Sequence, residues 1–219
     1  MSNEINIAVI GLGQIGSYLL NELNNKKKDI LNKTGKKINI VAVSAKNKSK
    51  KRSFKINKKI FYSNPLEIIK KKKVDILFEA IGLSDGISKK IVEIAIKNKI
   101  QVITPNKALI SKHGDYLSKL AEKNKVNLEF EASVGGGIPI LRTIKEGLAT
   151  NKISKVYGIL NGTSNYILSE METTKNSFED VLKKAQYLGY AEPGNPKLDL
   201  NGYDALAKVK ILSSLSFNI

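Results

Sequence analysis

An aspartate and a lysine four residues apart, Asp204 and Lys208, close the stretch Ala185–Lys208, AQYLGYAEPGNPKLDLNGYDALAK, which holds most of the chain's candidate proton-transfer groups. After Gly202, Ala205, Val209, Leu212 and Leu215 recur at helical spacing. A helix there places Asp204 and Lys208 one turn apart on one face, continued by Ile211 and Leu215. On an apolar stripe both groups are partly desolvated, so the pair must satisfy itself or act on something bound there. The plain alternative is an ordinary i,i+4 ion pair.

A second constellation opens the chain. The apolar run Ile5–Ile10 leads directly into Gly11-Leu12-Gly13-Gln14-Ile15-Gly16, after which Ile15, Leu19, Leu20 and Leu23 follow helical spacing. Strand, glycine turn and helix form the context a dinucleotide site needs. Gly11 permits the tight turn, Gly13 lets backbone approach a pyrophosphate, and Gly16 lets the helix pack on the strand. The helix start offers free N–H groups to the phosphates. The next strand, Ile38–Ser44, ends without the acid that would bind a ribose 2′-hydroxyl. It runs instead into Ser44-Ala45-Lys46-Asn47-Lys48-Ser49-Lys50-Lys51-Arg52. A basic, hydroxyl-rich loop suits a 2′-phosphate, favouring NADP(H) over NAD(H); the alternative is one more lysine-rich loop.

The intervening elements must position these groups. Asn64-Pro65 reads as a helix cap and first position, with the helix ending in Lys70 to Lys73. Val74–Ala80 reads as a buried strand whose carboxyl end delivers Ile81-Gly82 to the nicotinamide side of a cofactor. Ile87, Ile91, Ile94 and Ala95 mark a crossover helix, and Gln101–Thr104 and Leu128–Ala132 two further strands. This alternation predicts an α/β fold with a Rossmann-type doubly wound parallel sheet over residues 1–132. Residues 133–219 form a second, α+β domain. Its opening run, Ser133 to Pro139, holds three successive glycines, which permit unusual backbone angles or a hinge. A helix through Ile144 and Leu148, a strand Ile153–Leu160 of a second sheet, and a helix capped by Thr163 or Ser164 follow. Ser177-Phe178-Glu179-Asp180 begins another helix, which stops at Gly189.

Composition narrows the function classes. With 219 residues and 42% hydrophobic content the chain buries a real core. It has no apolar run of bilayer length, and its first strand begins too early for a signal peptide. Without cysteine there is no disulfide framework or thiolate chemistry, and the cytoplasm is the simplest compartment. The net charge of +17 invites a nucleic-acid reading. Arg52 and Arg142 are the only arginines, however, and the lysine runs fall at helix ends and loops, as on a solvated surface. No nucleic-acid or membrane partner is expected. His113, the only histidine, reads as a solvated residue of a surface turn.

Gly189-Tyr190-Ala191-Glu192-Pro193, followed by Pro196, Asp199-Leu200, Gly202, Asp204 and Lys208, resembles the signature of homoserine dehydrogenase. The similarity runs from the first strand to the last residue. Pro193-Gly194-Asn195 is one residue longer than the family's usual loop. Thr104-Pro105-Asn106-Lys107-Ala108 and Asn161-Gly162-Thr163-Ser164-Asn165-Tyr166 match further family motifs.

The resemblance implies interconversion of L-aspartate 4-semialdehyde and L-homoserine, on the route to threonine, isoleucine and methionine, with hydride from NADPH. Lys208 is then the general acid, Asp204 orients it and helps retain its charge, and Lys107 lies beside nicotinamide and substrate, adding positive charge at the carbonyl oxygen. Glu192, with Asp199 nearby, binds the substrate ammonium group, and Thr163 borders the substrate pocket. A monovalent cation such as Na+ is implied at backbone oxygens of Glu131, Val134, Gly136 and Ile138. The family also implies a homodimer paired through substrate-domain sheets. Its members continue past the last helix seen here, so a truncated relative, a fragment or one part of a split enzyme is expected, and with it the alternative of an inactive NADP-binding remnant or partner subunit. The last helix would then expose Ile211, Leu212, Leu215 or Phe217 unless a partner covers them.

Overall fold

The structure, a computed structural model, describes residues 3–48, 57–191 and 200–219. The chain divides into two compact units, Met1–Ser133 and Val134–Ile219.

In the first unit six strands, β1 (Glu4–Ile10), β2 (Lys37–Ser44), β3 (Phe61–Tyr62), β4 (Ile76–Glu79), β5 (Gln101–Ile103) and β6 (Leu128–Glu129), form one sheet. Their order is β3-β2-β1-β4-β5-β6, and every neighbouring pair is parallel. This is the doubly wound order expected of a Rossmann sheet. Parallel strands need crossovers, supplied by α1 (Gln14–Asn25), α2 (Lys27–Thr34), α3 (Leu66–Lys71), α4 (Ile87–Lys97) and α5 (Lys107–Asn124). Central β1 therefore reads as a continuous apolar run, with Ala8 to Ile10 buried. Ile7, Val9, Leu12, Leu20 and Val43 form one core cluster, and α4 and α5 bury Ile91, Val92, Ile96, Leu109 and Leu117. Each such side chain contributes about 1.5–3 kcal/mol of burial.

Two strands are shorter than the sequence suggests. β6 stops at Glu129 because its partner stops: Thr104 N–H reaches the Glu129 carbonyl at 2.8 Å, and Pro105 has no N–H to continue the ladder. The chain then turns through a 3-10 segment, Glu131–Ser133. β4 is four residues long, although flanking bonds from Asp75 to Asn6 and from Ala80 to Ile10 prolong its alignment with β1.

The glycine turn is set by close backbone contact. Gly11 has φ +93°, and a Cβ there would stand 2.3 Å from the Ala80 carbonyl oxygen. At Gly16 a Cβ would stand 1.9 Å from the Gly11 carbonyl oxygen. Both positions exclude any side chain.

The second unit holds α6 (Ile140–Arg142), which runs into a π-helical turn (Thr143–Gly147), then α7 (Gly162–Thr174), α8 (Phe178–Tyr187) and α9 (Tyr203–Phe217). Ser177 caps α8, its hydroxyl accepting from Asp180 N–H at 3.2 Å, and Gly189 follows the helix end at φ +79°. Ile167, Val181, Ala185 and Ala191 form a core, flanked by Tyr166, Met171 and Leu182. Residues 153–160 are not a strand: among the described residues of this unit no segment pairs with them, and Tyr157 and Ile159 are exposed. Apolar alternation predicts strand conformation, but the ladder needs a partner. Gly135 and Gly137 have positive φ, as the glycine run suggested.

These contacts predict different outcomes for two glycines three residues apart, Gly13 and Gly16. Gly16→Ala lowers the denaturant-unfolding free energy by about 1–3 kcal/mol through forced backbone displacement. Gly13→Ala, at φ −75° with nothing within 4 Å of the added methyl, stays within about 1 kcal/mol of wild type.

Candidate functional site

Because the sheet is parallel, the loops after β1, β2, β4 and β5 leave the same edge of the first unit. Gly13 is the N-cap of α1, with no side chain capping the helix and open space where its Cβ would be. Internal packing accounts for Gly11 and Gly16 but not for Gly13. Open space there leaves the uncapped helix start accessible. Leu12 is buried, whereas Gln14 and Ile15 are exposed on the first turn of α1. After β2, Ser44 is buried and its carbonyl accepts from Gly11 N–H at 2.8 Å. Lys46, Asn47, Lys48 and Lys58 line an open groove of about 770 Å³. The basic run from Ser49 to Arg52 lies outside the described residues.

After β4, Ile81 is half-buried and Gly82 turns at φ +88°. Ile81 N–H donates to the carboxylate of Glu79 at 2.8 Å, and the Thr104 hydroxyl donates to its other oxygen at 2.7 Å. Asn106 caps α5 by accepting from Leu109 N–H, and Lys107, half-buried, is the first residue of that helix. His113 is not in a turn. It lies within α5, mostly buried, with Nε2 2.8 Å from Asp85, because the helix starting at Lys107 runs through Gly114 without a break. The hydrogen bond from Lys112 above all, then those of Ser84 and His113, holds the Asp85 carboxyl well below the usual carboxylate range.

In the second unit the Asp204–Lys208 pair forms as the spacing predicts. Nζ lies 2.7 Å from Asp204 Oδ2, and the side chains are only 17% and 9% exposed. Lys208 also donates to the Leu160 carbonyl at 2.7 Å. Two of its three N–H groups are thus engaged, and Lys208 lines a cavity of about 440 Å³ with Val134, Ile138, Leu160, Asn161 and Asn165. Asn161 fixes this geometry from two sides. Its Oδ1 accepts from Ser164 N–H at 2.8 Å, capping α7, and its Nδ2 donates to Asp204 Oδ2 at 3.1 Å. The cap is therefore Asn161, not Thr163 or Ser164. The Thr163 hydroxyl donates instead to the Tyr190 carbonyl, and Tyr190 stacks on Tyr166 at 4.5 Å between centroids. On α9 the buried face continues through Ile211 and Leu212, which pack inside the unit rather than being exposed, while Val209 points outward with Leu206.

Glu192 and Asp199 lie outside the described residues. Of the cation-linked positions, Glu131 belongs to the first unit, and Val134, Gly136 and Ile138 to the second. Ile138 carbonyl accepts from Ile140 N–H, and Gly136 and Ile138 are exposed. No cluster of three or more His, Cys, Asp or Glu side chains suited to a metal occurs among the described residues, and none of their helices is long and apolar enough to cross a membrane.

Sequence reasoning missed Asn161 and Glu79. Asparagine is a preferred N-cap, and Asn161 stands three residues before Ser164, so its cap was open to inference. Glu79 was the one acid at the carboxyl end of the apolar run Val74–Ala80, Asp75 lying at its other end.

A parallel β3-β2-β1-β4-β5-β6 sheet with a glycine turn after β1 places the first unit among the dinucleotide-binding α/β domains. Residues 11–131 match the family model of the homoserine dehydrogenase NAD-binding domain, and residues 139–219 match that of homoserine dehydrogenase. The chain belongs to the homoserine dehydrogenase family, whose members are oxidoreductases. It is 41% identical to homoserine dehydrogenase of Neisseria gonorrhoeae over 97% of this chain and 48% of that protein. A crystal structure of a homoserine dehydrogenase from Thiobacillus denitrificans superposes with a TM-score of 0.87 at 38% identity, covering 99% of this chain and 49% of that one. A hyperthermophilic archaeal homoserine dehydrogenase in complex with NADPH shares the fold, at a TM-score of 0.79 and 23% identity over 99% of this chain and 70% of its own. The chain spans about half the length of the curated relatives it matches.

Asp204→Ala leaves Lys208 buried without its carboxylate and costs about 3 kcal/mol in denaturant unfolding. Asp85 behaves oppositely with respect to location: it is exposed, and its lowered folded value means that its stabilisation is present above the unfolded value of 3.8 and is lost as pH falls below it. Asp85→Asn should therefore lower the thermal midpoint near neutral pH, with the difference from wild type shrinking below pH 3.8.

Proposed function

We propose that this chain carries the cofactor site and the proton donor for NADPH-dependent interconversion of L-aspartate 4-semialdehyde and L-homoserine. The observation that carries this reading is the largely buried ammonium of Lys208, fixed by Asp204 and Leu160 at a cavity with one N–H group to spare. When bound, NADPH supplies a hydride to the aldehyde carbon. The aldehyde oxygen then gains an electron pair, and Lys208 gives it a proton; in reverse the neutral amine takes that proton back. Asp204, itself steadied by Asn161, holds the lysine in place. Lys107 adds positive charge for the developing oxyanion. Glu192 and Asp199 offer carboxylates to the substrate ammonium group, and Thr163, tied to Tyr190, borders the substrate.

Preference for NADP(H) over NAD(H) is supported by the lysine-lined groove after β2 and by the NADPH complex of the archaeal protein. The glycine run Gly135–Gly137 favours a monovalent cation such as Na+ bound through carbonyls of Val134, Gly136 and Ile138. The exposed Tyr157 and Ile159, in a segment unpaired within the described residues, favour pairing with a second copy of the chain. A cytoplasmic setting suits a cysteine-free enzyme of this class.

The test is the loss of NADPH absorbance with L-aspartate semialdehyde. Lys208→Ala should lower turnover by about 100-fold or more. Lys46→Ala combined with Lys48→Ala should weaken NADPH by about tenfold while leaving NADH almost unchanged. Undiminished turnover by Lys208→Ala would remove the proton donor, and NADPH binding without any turnover would reduce the chain to a cofactor-binding one.

A further inference from the structure

Glu79 is the one charged residue fully buried among the described residues of the first unit: a carboxyl group at the carboxyl end of β4, with no cation among its described partners. Burying such a group is costly unless every lone pair is met. Here they are met, but only by groups from loops. Oε1 accepts from Ile81 N–H at 2.8 Å, in the loop after β4. Oε2 accepts from the Thr104 hydroxyl at 2.7 Å, in the loop after β5. Asn106 Nδ2 reaches both oxygens more weakly, at 3.4 and 3.3 Å, and donates to the Leu83 carbonyl at 2.8 Å. Thr104 in turn accepts from Asn106 N–H at 3.0 Å.

An apolar side chain at the same place would fill the core without the desolvation cost, so stability alone does not account for an acid. What only an acceptor does here is lock two loops to each other. One is the Ile81-Gly82 turn. The other ends in Asn106, the cap of α5, whose first helical residue is Lys107. Fixing the cap fixes the direction in which that helix, and Lys107 with it, leaves the sheet.

We infer that Glu79 is a positioning residue for the nicotinamide end of the cofactor: it holds the loops after β4 and β5 in one arrangement and acts on the cofactor only through them. This rests on the cofactor reading above. The glycine turn and the lysine-lined groove, which would take the pyrophosphate and the adenosine 2′-phosphate, are not hydrogen-bonded to Glu79. Its removal should therefore act on one half of the cofactor and spare the other.

The experiment compares the affinity of the full chain for NADPH with its affinity for 2′,5′-ADP, which has the adenosine 2′-phosphate but no nicotinamide. Ligand affinities are measured for wild type, Glu79→Gln and Thr104→Val. Glu79→Gln keeps the volume but presents a donor to Asn106 or to Thr104; Thr104→Val removes one side of the lock from a residue outside the strand core. Both variants should lose about tenfold or more in NADPH affinity and keep 2′,5′-ADP within about twofold. Unchanged NADPH binding in both overturns the inference. Equal losses for both ligands also overturn it, because they show a role in the fold at large. A wild type that binds neither ligand overturns the cofactor reading and this inference with it, and that result is distinct from the other two.

Discussion

The backbone at Gly11 is enclosed on three sides, and the edge of the sheet takes its arrangement from that enclosure. Its N–H donates to the Ser44 carbonyl at the end of β2, the Ala80 carbonyl occupies the space where its Cβ would be, and Gly16 lets α1 descend onto its own carbonyl. Strands β2 and β4 are thereby held against the end of β1 by backbone atoms alone, with no side chain able to intervene. Glu79, which ends β4, comes directly before Ala80. From there the hydrogen bonds run through Thr104 and Asn106 to the start of α5, so four loops share one rigid reference. Such an edge is ordered before any ligand arrives, which lowers the entropic cost of binding one.

The second unit solves a different problem, the burial of an ion pair. Desolvating a lysine and an aspartate costs more than their attraction returns unless their remaining valences are met. Leu160 carbonyl and Asn161 amide meet them, and both belong to the turn that enters α7. The cap of one helix is therefore also the support for the charged face of another. Asn161 meets both demands with one side chain, its oxygen accepting from Ser164 N–H while its amide nitrogen donates to Asp204.

Periodicity made the first unit legible, because its central strands β1 and β4 carry largely apolar, buried runs and its turns after β1 and β5 carry a glycine or an asparagine with a definite geometric duty. The glycine turn, the crossover helices and the sheet class all follow from that. Glu79 was hidden because a lone acid at a strand end looks like the start of a polar loop, and only the third dimension brings Thr104 and Asn106 to it. His113 was misplaced because Gly114 beside it suggests a turn, yet one glycine costs a long helix only about 1 kcal/mol. In the second unit the helix starts at Ser177 and the stop at Gly189 could be read from capping chemistry. The segment 153–160 could not, since alternation records which residues avoid water and says nothing of whether a partner strand is present.

Lysine is so common here that residue type carries almost no information about chemistry; context carries it. Glu67 and Lys71 have the same acid-to-lysine spacing as Asp204 and Lys208, on a helix, and make an ion pair of similar length, 2.6 against 2.7 Å. Their side chains are 46% and 60% exposed, so water screens the pair and it contributes little. Asp204 and Lys208 are shielded, share their hydrogen bonds with fixed backbone and amide groups, and line a cavity. A proton donor needs that shielding, since an ammonium free in water is as well solvated before the reaction as during it and gives no advantage to a developing oxyanion. The apolar residues flanking each pair supply the difference. Ile211 and Leu212 press α9 into its unit and carry Lys208 inward, whereas α3, six residues long and followed by Lys72 and Lys73, leaves Lys71 at the surface.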